Sequence, residues 1–336
     1  MAASSRRIAR IEKVLIFVMD SSLLLSRKFA SLKNLTIGVV RGGVSAERRI
    51  SLRSGRAVAR ALKRIGIKSF PIDPAERKTF SEKILAADLL FIALHGNGGE
   101  DGYLQTLLER KRIRFTGSPS TACRKSFDKA ISKRYFEKLG IPTPAYAVLD
   151  KKNWHKVAES FPVPFFAKPL DGGSSQGVFL VEDFQESVEK LRRSVLKFGK
   201  IMIEKRIVGR ELTAGLLGDL KLPIVEVKPS RLFYDYKAKY TKGMTVYEVP
   251  ASLPAKVAKK IQSIAYKVYR GLGLKGFSRV DVMLDGKNRP FVLEVNSIPG
   301  LTEFSLLPKA AKVLGISFEE LCLRVLQEAV ARWSGK

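Results

Sequence analysis

The sequence predicts an α/β fold in several units, led by an open parallel sheet. Three observations carry this. Leu35–Arg41 (LTIGVVR) and Leu89–Leu94 (LLFIAL) are short apolar runs of buried-strand type, each running into glycine-rich sequence. A helical pattern lies between them, giving the strand–turn–helix–strand order of a parallel sheet. The chain has 336 residues, enough for two or three units of ordinary size.

In order along the chain, residues 1–33 read as an extension outside the fold and poorly ordered. The start is Arg- and Ser-rich, and a short apolar stretch follows. Asp20 breaks that stretch, which argues against a secretory signal, and Glu12 with Asp20 argues against an organelle transit peptide. Met19 offers an alternative start. Residues 34–126 form the first α/β unit. After the Gly42–Gly43 turn, Ser45 is expected to cap a helix whose apolar positions are Ile50, Leu52, Val58, Leu62 and Ile65. Ser69–Ile72 is extended, and the Leu89–Leu94 strand runs into HGNGGEDG. Both glycine-rich loops then fall at carboxyl ends of strands, where such sheets bind ligands.

Residues 127–211 make a second unit, with helix Lys129–Leu139, the stretch IPTPA (Ile141–Ala145) as a linker, and strand Phe165–Pro169. The turn DGGSSQG (Asp171–Gly177) leads to strand Val178–Val181, a helix near Phe184–Lys197 and strand Ile201–Glu204. Residues 212–336 make the third, with strands Leu212–Leu217, Ile224–Val227, Phe277–Leu284 and Pro290–Val295, helix Pro254–Leu272 and a closing helix from Ser317.

Composition narrows the chemistry. Hydrophobic residues at 45% and charged residues at 28% exclude whole-chain disorder. Two cysteines, Cys123 and Cys322, and two histidines, His95 and His155, exclude a disulfide framework, a thiolate zinc site and a histidine-rich metal centre. Any ion must be held by oxygen. The net charge of +29 attracts phosphates and other polyanions. It is spread along the chain, without a nucleic-acid-binding pattern, so nucleic acid is not expected as the main partner. No apolar run is long enough to span a bilayer, and a membrane is not expected either.

Two constellations carry chemistry. DGGSSQG can present successive backbone N–H groups to an anion, although a plain hairpin also explains a lone loop of this kind. Lys168 stands at the end of an apolar strand just before it, and Lys129 heads a helix after Asp128. The P-loop pattern is absent. Further on, RVDVML and FVLEVN are separated by the turn DGKNRP. Side chains two apart in a strand share a face, so Arg279 with Asp281, and Glu294 with Asn296, would point together. Oxygen donors on paired strands suit Mg²⁺ bridging to phosphates.

These pieces, in this order, resemble the ATP-grasp ligases and, within them, the D-alanine–D-alanine ligases. The resemblance runs from Thr36 to about Glu328. It rests on GGVSAER (Gly42–Arg48), LHGNGGEDGYLQ (Leu94–Gln105), FTGS (Phe115–Ser118), KPLDGGSSQGV (Lys168–Val178), IEK (Ile203–Lys205), FYDYKAKY (Phe233–Tyr240) and EVNSIPGLTEFSLLP (Glu294–Pro308).

The resemblance implies an ATP-grasp fold behind the N-terminal Rossmann-like sheet. Lys129 and Lys168 would hold ATP phosphates under the Gly172–Gly177 loop, which includes Ser174. Glu204, Lys205 and Ile207 would frame the adenine, Glu211 the ribose, and Lys239 the γ-phosphate. Asp281, Glu294 and Asn296 would hold two Mg²⁺ (or Mn²⁺) ions. Glu47 would anchor the first substrate's ammonium group, latched to Ser175 and Tyr240, with His95 near that substrate's carboxylate. Ser305 and the Leu306 amide would take the second substrate's carboxylate. Arg279 and Gly300 would form an oxyanion site.

The implied activity is ATP-dependent joining of two D-alanines for peptidoglycan precursor synthesis, in the cytoplasm and compatible with a homodimer. The alternative is D-lactate or D-serine as second substrate, against which Tyr240 argues. Arg49 and Arg53 add cations near Glu47 that are not part of the family pattern.

Overall fold

A computed structural model describes residues 32–334 apart from 174, 232–240 and 242. The predicted roles of Ser174, Lys239 and Tyr240 fall outside the described residues, as does most of the N-terminal extension.

The first sheet is parallel, in the order β2–β1–β3, with β1 at Thr36–Val40, β2 at Lys68–Ile72 and β3 at Leu89–Ile92. Helix α1 (Arg48–Arg64) crosses from β1 to β2. Its buried face is Ser51, Ser54, Gly55, Ala57, Val58, Ala61 and Leu62, small or aliphatic side chains that let the helix sit close to the sheet. The helix begins later than Ser45. That hydroxyl accepts the Glu47 N–H at 3.2 Å and donates to the His95 carbonyl at 2.9 Å, so it ties a turn to a loop instead of capping. Short helices α2 (Arg77–Leu85), α3 (Tyr103–Arg110) and α4 (Ser120–Phe127) follow.

Helix α5 (Lys129–Lys138) is capped by Asp128, whose side chain accepts from Ile131 N–H at 2.9 Å. A four-stranded antiparallel sheet comes next, in the order β4–β7–β5–β6. Its strands are Tyr146–Asp150 (β4), Phe165–Pro169 (β5), Phe179–Val181 (β6) and Lys200–Lys205 (β7). Helices α6 (Trp154–Ser160) and α7 (Phe184–Phe198) cover it. The stretch read as a linker is strapped down on β13 (Pro290–Asn296). Val292 N–H donates to Pro142 O at 2.8 Å, and the Thr143 hydroxyl donates to Val292 O at 2.7 Å.

The third sheet is also antiparallel, in the order β11–β10–β8–β12–β13, with β9 (Leu220–Lys221) paired to β8. The other strands are β8 (Gly209–Leu217), β10 (Val225–Pro229), β11 (Thr245–Glu248) and β12 (Phe277–Asp285). Helix α8 (Ala255–Leu272) packs on β8 and β12. Helices α9 (Leu306–Val313) and α10 (Phe318–Ser334) finish the fold. Leu321, Cys322, Val325 and Leu326 of α10 join one hydrophobic core with Val39, Leu62 and Phe91 of the first sheet layer. Arg332 clamps the same junction, donating to the carbonyls of Gly117 at 2.5 Å and Phe115 at 2.6 Å. Among the described residues no helix is long and apolar enough to cross a membrane.

Candidate active site

Two cavities meet between the sheets. One, of about 410 Å³, lies between the four-stranded sheet and the third sheet. Lys129, Lys168, Gly172, Gly173 and Ser175 line its inner end, and Glu204, Lys205, Ile207 and Glu211 continue along it. The other, of about 270 Å³, lies beneath the first sheet's loops and is lined by Glu47, His95, Glu100, Arg279, Asn296, Gly300, Ser305 and Leu306. Gly173 and Glu294 line both. The predicted site residues that are described are thus gathered at one junction, from Glu47 after β1 to Leu306 at the start of α9.

The inner end of the larger cavity is held by buried charge. Lys129 Nζ donates to Gly172 O at 2.8 Å and lies 4.0 Å from Glu294 Oε2, so it bridges the glycine loop to β13. Lys168 Nζ donates to Glu204 Oε2 at 2.7 Å. A residue missed from the sequence completes this group: Lys133, fully buried on α5, ion-paired to Glu204 and hydrogen-bonded to Thr143. Burial opposes charge on Glu204, but Lys133 and Lys168 outweigh it and hold the carboxyl below its usual range. Burial pulls the Lys133 ammonium down to about 8, against the attraction of Glu204. Lys133 lies four residues after Lys129, one helical turn along the same face.

The β12–β13 hairpin delivers the expected oxygen donors. Arg279 pairs with Asn296 across the strands, and Asp281 with Glu294. A register shift follows Asp281, after these pairs, so the four side chains keep one face. Arg279 grips both Asp281 oxygens, at 2.8 Å and 2.8 Å, and Asn296 Nδ2 donates to Asp281 Oδ2 at 3.2 Å. That Nδ2 contact turns the Asn296 carbonyl oxygen away from Asp281. Two carboxylates and an amide oxygen, set beside a lysine-lined cavity, fit a hard divalent cation that completes its shell with water and phosphate.

The smaller cavity is shaped by its loops. The Glu47 carboxylate fits between Gly96 and Gly173, where an added Cβ would come within 2.8 Å and 3.0 Å of its Oε2. His95 Nδ1 lies 3.0 Å from Ile298 O, a pure acceptor, so Nδ1 carries the proton. Nε2 accepts from the Ser54 hydroxyl at 2.9 Å, and that hydroxyl in turn accepts the Leu301 N–H at 3.3 Å. Burial, with the nearby Arg279 charge, pulls His95 down to about 4, so the ring is neutral. Both nitrogens are held by protein groups, which makes His95 a strut between α1 and the Ile298–Leu301 loop.

Glu100, within HGNGGEDG, is a further site residue that the sequence reading did not single out. It is buried, accepts the Gly96 N–H at 2.8 Å, and is pushed well above the carboxylate range by burial and by Glu47. Ser305 Oγ accepts the Thr302 N–H at 3.1 Å, and Leu306 opens α9, where the first N–H groups have no partner within the helix.

A family model described as D-ala D-ala ligase C-terminus matches residues 135–327. A D-alanine--D-alanine ligase from Methylacidiphilum infernorum is 41% identical over 297 residues, 88% of this chain and 96% of that protein. The chain belongs to the D-alanine–D-alanine ligase family. A second relative of the same name, from Aromatoleum aromaticum, is 40% identical over 87% of this chain and 95% of its own length. Among solved structures, the Bacillus anthracis D-alanine--D-alanine ligase superposes with a TM-score of 0.80 at 33% identity, covering 90% of this chain and 99% of that one. The D-Ala:D-Ser ligase of Enterococcus faecalis matches with a TM-score of 0.75 at 26% identity, covering 88% and 99%. The ATP-grasp fold expected of a D-alanine–D-alanine ligase is therefore the fold this chain has.

Proposed function

We propose that this chain joins two D-alanine molecules, using ATP, through an acyl phosphate. The observation that carries the reading is the junction of the two cavities at Gly173 and Glu294. A nucleotide in the larger cavity would point its phosphates at Lys129, Lys168 and the glycine loop. An amino acid in the smaller one would rest its ammonium group on Glu47. Its carboxylate then meets the terminal phosphate at the shared wall. Three sheets around this junction support three units close to residues 34–126, 127–211 and 212–336, with the last boundary moved ahead of Gly209, because β8 (Gly209–Leu217) lies wholly in the third sheet.

Asp281, Glu294 and Asn296 would hold two Mg²⁺ (or Mn²⁺) ions, which when bound offset phosphate charge as the phosphoryl group transfers. The chain's own residues do the rest. Lys129 and Lys168 supply positive charge at the inner end of the cavity. Ser305 and the Leu306 N–H, at a helix N-terminus, suit the second carboxylate. The second amine, its ammonium proton given up to solvent, attacks the acyl carbonyl; the carbonyl oxygen gains charge, the carbon–oxygen bond to phosphate breaks, phosphate departs, and the nitrogen sheds a further proton to become the amide. Arg279 is fixed in place by Asp281, so its guanidinium is oriented before that charge develops. The reaction belongs in the cytoplasm, where ATP is supplied.

D-Serine or D-lactate as second substrate has less support, since the relatives at about 40% identity carry the D-alanine name. The test is phosphate release from ATP and Mg²⁺ with D-alanine, L-alanine, D-serine and D-lactate each supplied. Release and dipeptide formation with D-alanine alone support the reading. Turnover only when D-lactate or D-serine accompanies D-alanine overturns it.

A further inference from the structure

Helix α1 carries seven basic residues and no acid. Its buried face is described above; its outer face is an arginine stripe. Arg49, Arg53, Arg56 and Arg60 are all exposed. At about 100° per residue they fall within about 60° of arc, and at 1.5 Å per residue they run over about 16 Å. Arg48 turns away from them to Asp73, 2.8 Å distant, and the Gly43 carbonyl. Arg64, at the far end, pairs with Glu303 and Glu319. The four between have no ion pair among the described residues, and Arg56 depresses the neighbouring Arg41 by like charge, after burial. Such a row repels itself, and the one acid that lines its groove, Glu303, is ion-paired to Arg64.

Apolar side chains flank the row. Phe304 is 76% exposed and shares a shallow groove with Arg53, Arg56, Arg60 and Glu303, and it lies with Arg53 at the edge of the smaller cavity as well. Val44, just before the helix, is 83% exposed. Guanidinium groups along a helix, with an aromatic and an aliphatic side chain at their margin, match an interface of anionic headgroups over acyl chains. We propose that the outer face of α1 docks this protein on an anionic phospholipid surface. The sequence alone pointed away from a membrane because nothing spans one, but surface contact needs no span. A single nucleic-acid strand is the lesser fit. Strand binders use a groove with several stacking aromatics, and this face is a convex helix with one aromatic beside it. A second copy of the same face is excluded by charge.

The experiment uses the full chain and two kinds of vesicle, phosphatidylcholine alone and phosphatidylcholine with roughly one third phosphatidylglycerol, in a flotation assay at low and physiological salt. Three proteins are compared: wild type, the triple variant Arg49→Gln, Arg56→Gln, Arg60→Gln, and a charge-matched control, Lys256→Gln, Lys259→Gln, Lys260→Gln, whose lysines lie exposed on α8. Wild type and control should bind the anionic vesicles and not the neutral ones, less so as salt rises. The arginine variant should bind about a hundredfold more weakly. Equal losses in variant and control would overturn the proposal, because net charge alone would then explain binding. So would absence of wild-type binding, or tighter stripe-dependent binding to a single-stranded oligonucleotide than to the vesicles.

Discussion

Acidification should loosen the wall of the amino-acid cavity through His95. The ring is held neutral by burial and Arg279, at about 4 against an ordinary 6.5. Above pH 6.5 it is neutral in folded and unfolded chains alike, and its contribution to stability is complete. Between 6.5 and 4 the unfolded ring takes up a proton that the folded one refuses, so stability falls with pH. At about 1.36 kcal/mol per pKa unit, the gap amounts to about 3 kcal/mol. The structure names what would break. A proton on Nε2 turns an acceptor into a donor, and Ser54 can no longer donate to it. Ser54 Oγ must then accept from both Nε2 and Leu301 N–H while its own proton loses its acceptor, and the loop bearing Gly300 loosens. Glu100 runs the other way: its raised carboxyl stabilises the fold as pH falls through the window where it alone stays protonated. The measurement must therefore be a difference. Urea unfolding of wild type and His95→Asn, from pH 7.5 to 4, should show the wild type losing about 3 kcal/mol more than the variant. Parallel pH curves for the two proteins would refute the strut.

Three further outcomes are expected. Asp281→Ala and Glu294→Ala should each abolish Mg²⁺-dependent turnover, and Asp281→Ala should also lower the thermal transition because Arg279 loses its partly buried carboxylate partner; near-normal turnover in both would remove the metal assignment. Lys133→Met should destabilise the chain by about 3 kcal/mol and raise the KM for ATP, because Glu204 keeps only Lys168. A double-mutant cycle with Glu204→Gln should show coupling above about 1 kcal/mol, and none would mean the buried pair is idle. Arg332→Met should lower stability by about 3 kcal/mol, since two carbonyls lose charge-assisted donors; an unchanged unfolding midpoint would show that the clamp is not needed.

The β12–β13 hairpin was legible because alternation of Arg279, Asp281, Glu294 and Asn296 is a local property of extended backbone. The same holds for β5, whose apolar run and closing lysine lie within five residues. The start of α1 was misjudged because a serine before a helix can cap it or bond elsewhere, and the choice depended on the His95 carbonyl, far away in sequence. Helices α3 and α9 were missed because their first turns sit inside loop-like motifs, and α2, α4 and α6 because they are too short to show a clear helical period. Lys133 looks like any surface lysine of a basic chain. Only the approach of β7, which brings Glu204, shows that it is buried.

The shared core of the first sheet and α10 also bears on how the chain is made. Val39 and Phe91 leave the ribosome early, whereas Leu321, Cys322, Val325 and Leu326, which lie in the same core, come near the end. The N-terminal sheet therefore stays partly uncovered for most of synthesis, when an exposed apolar layer and open strand edges invite aggregation. The contacts of α1 with α10 are among the most distant in sequence among the described residues, and such contacts form slowly. The nascent chain thus has a long interval in which a chaperone can bind its first sheet, and that interval closes only when the last helix arrives.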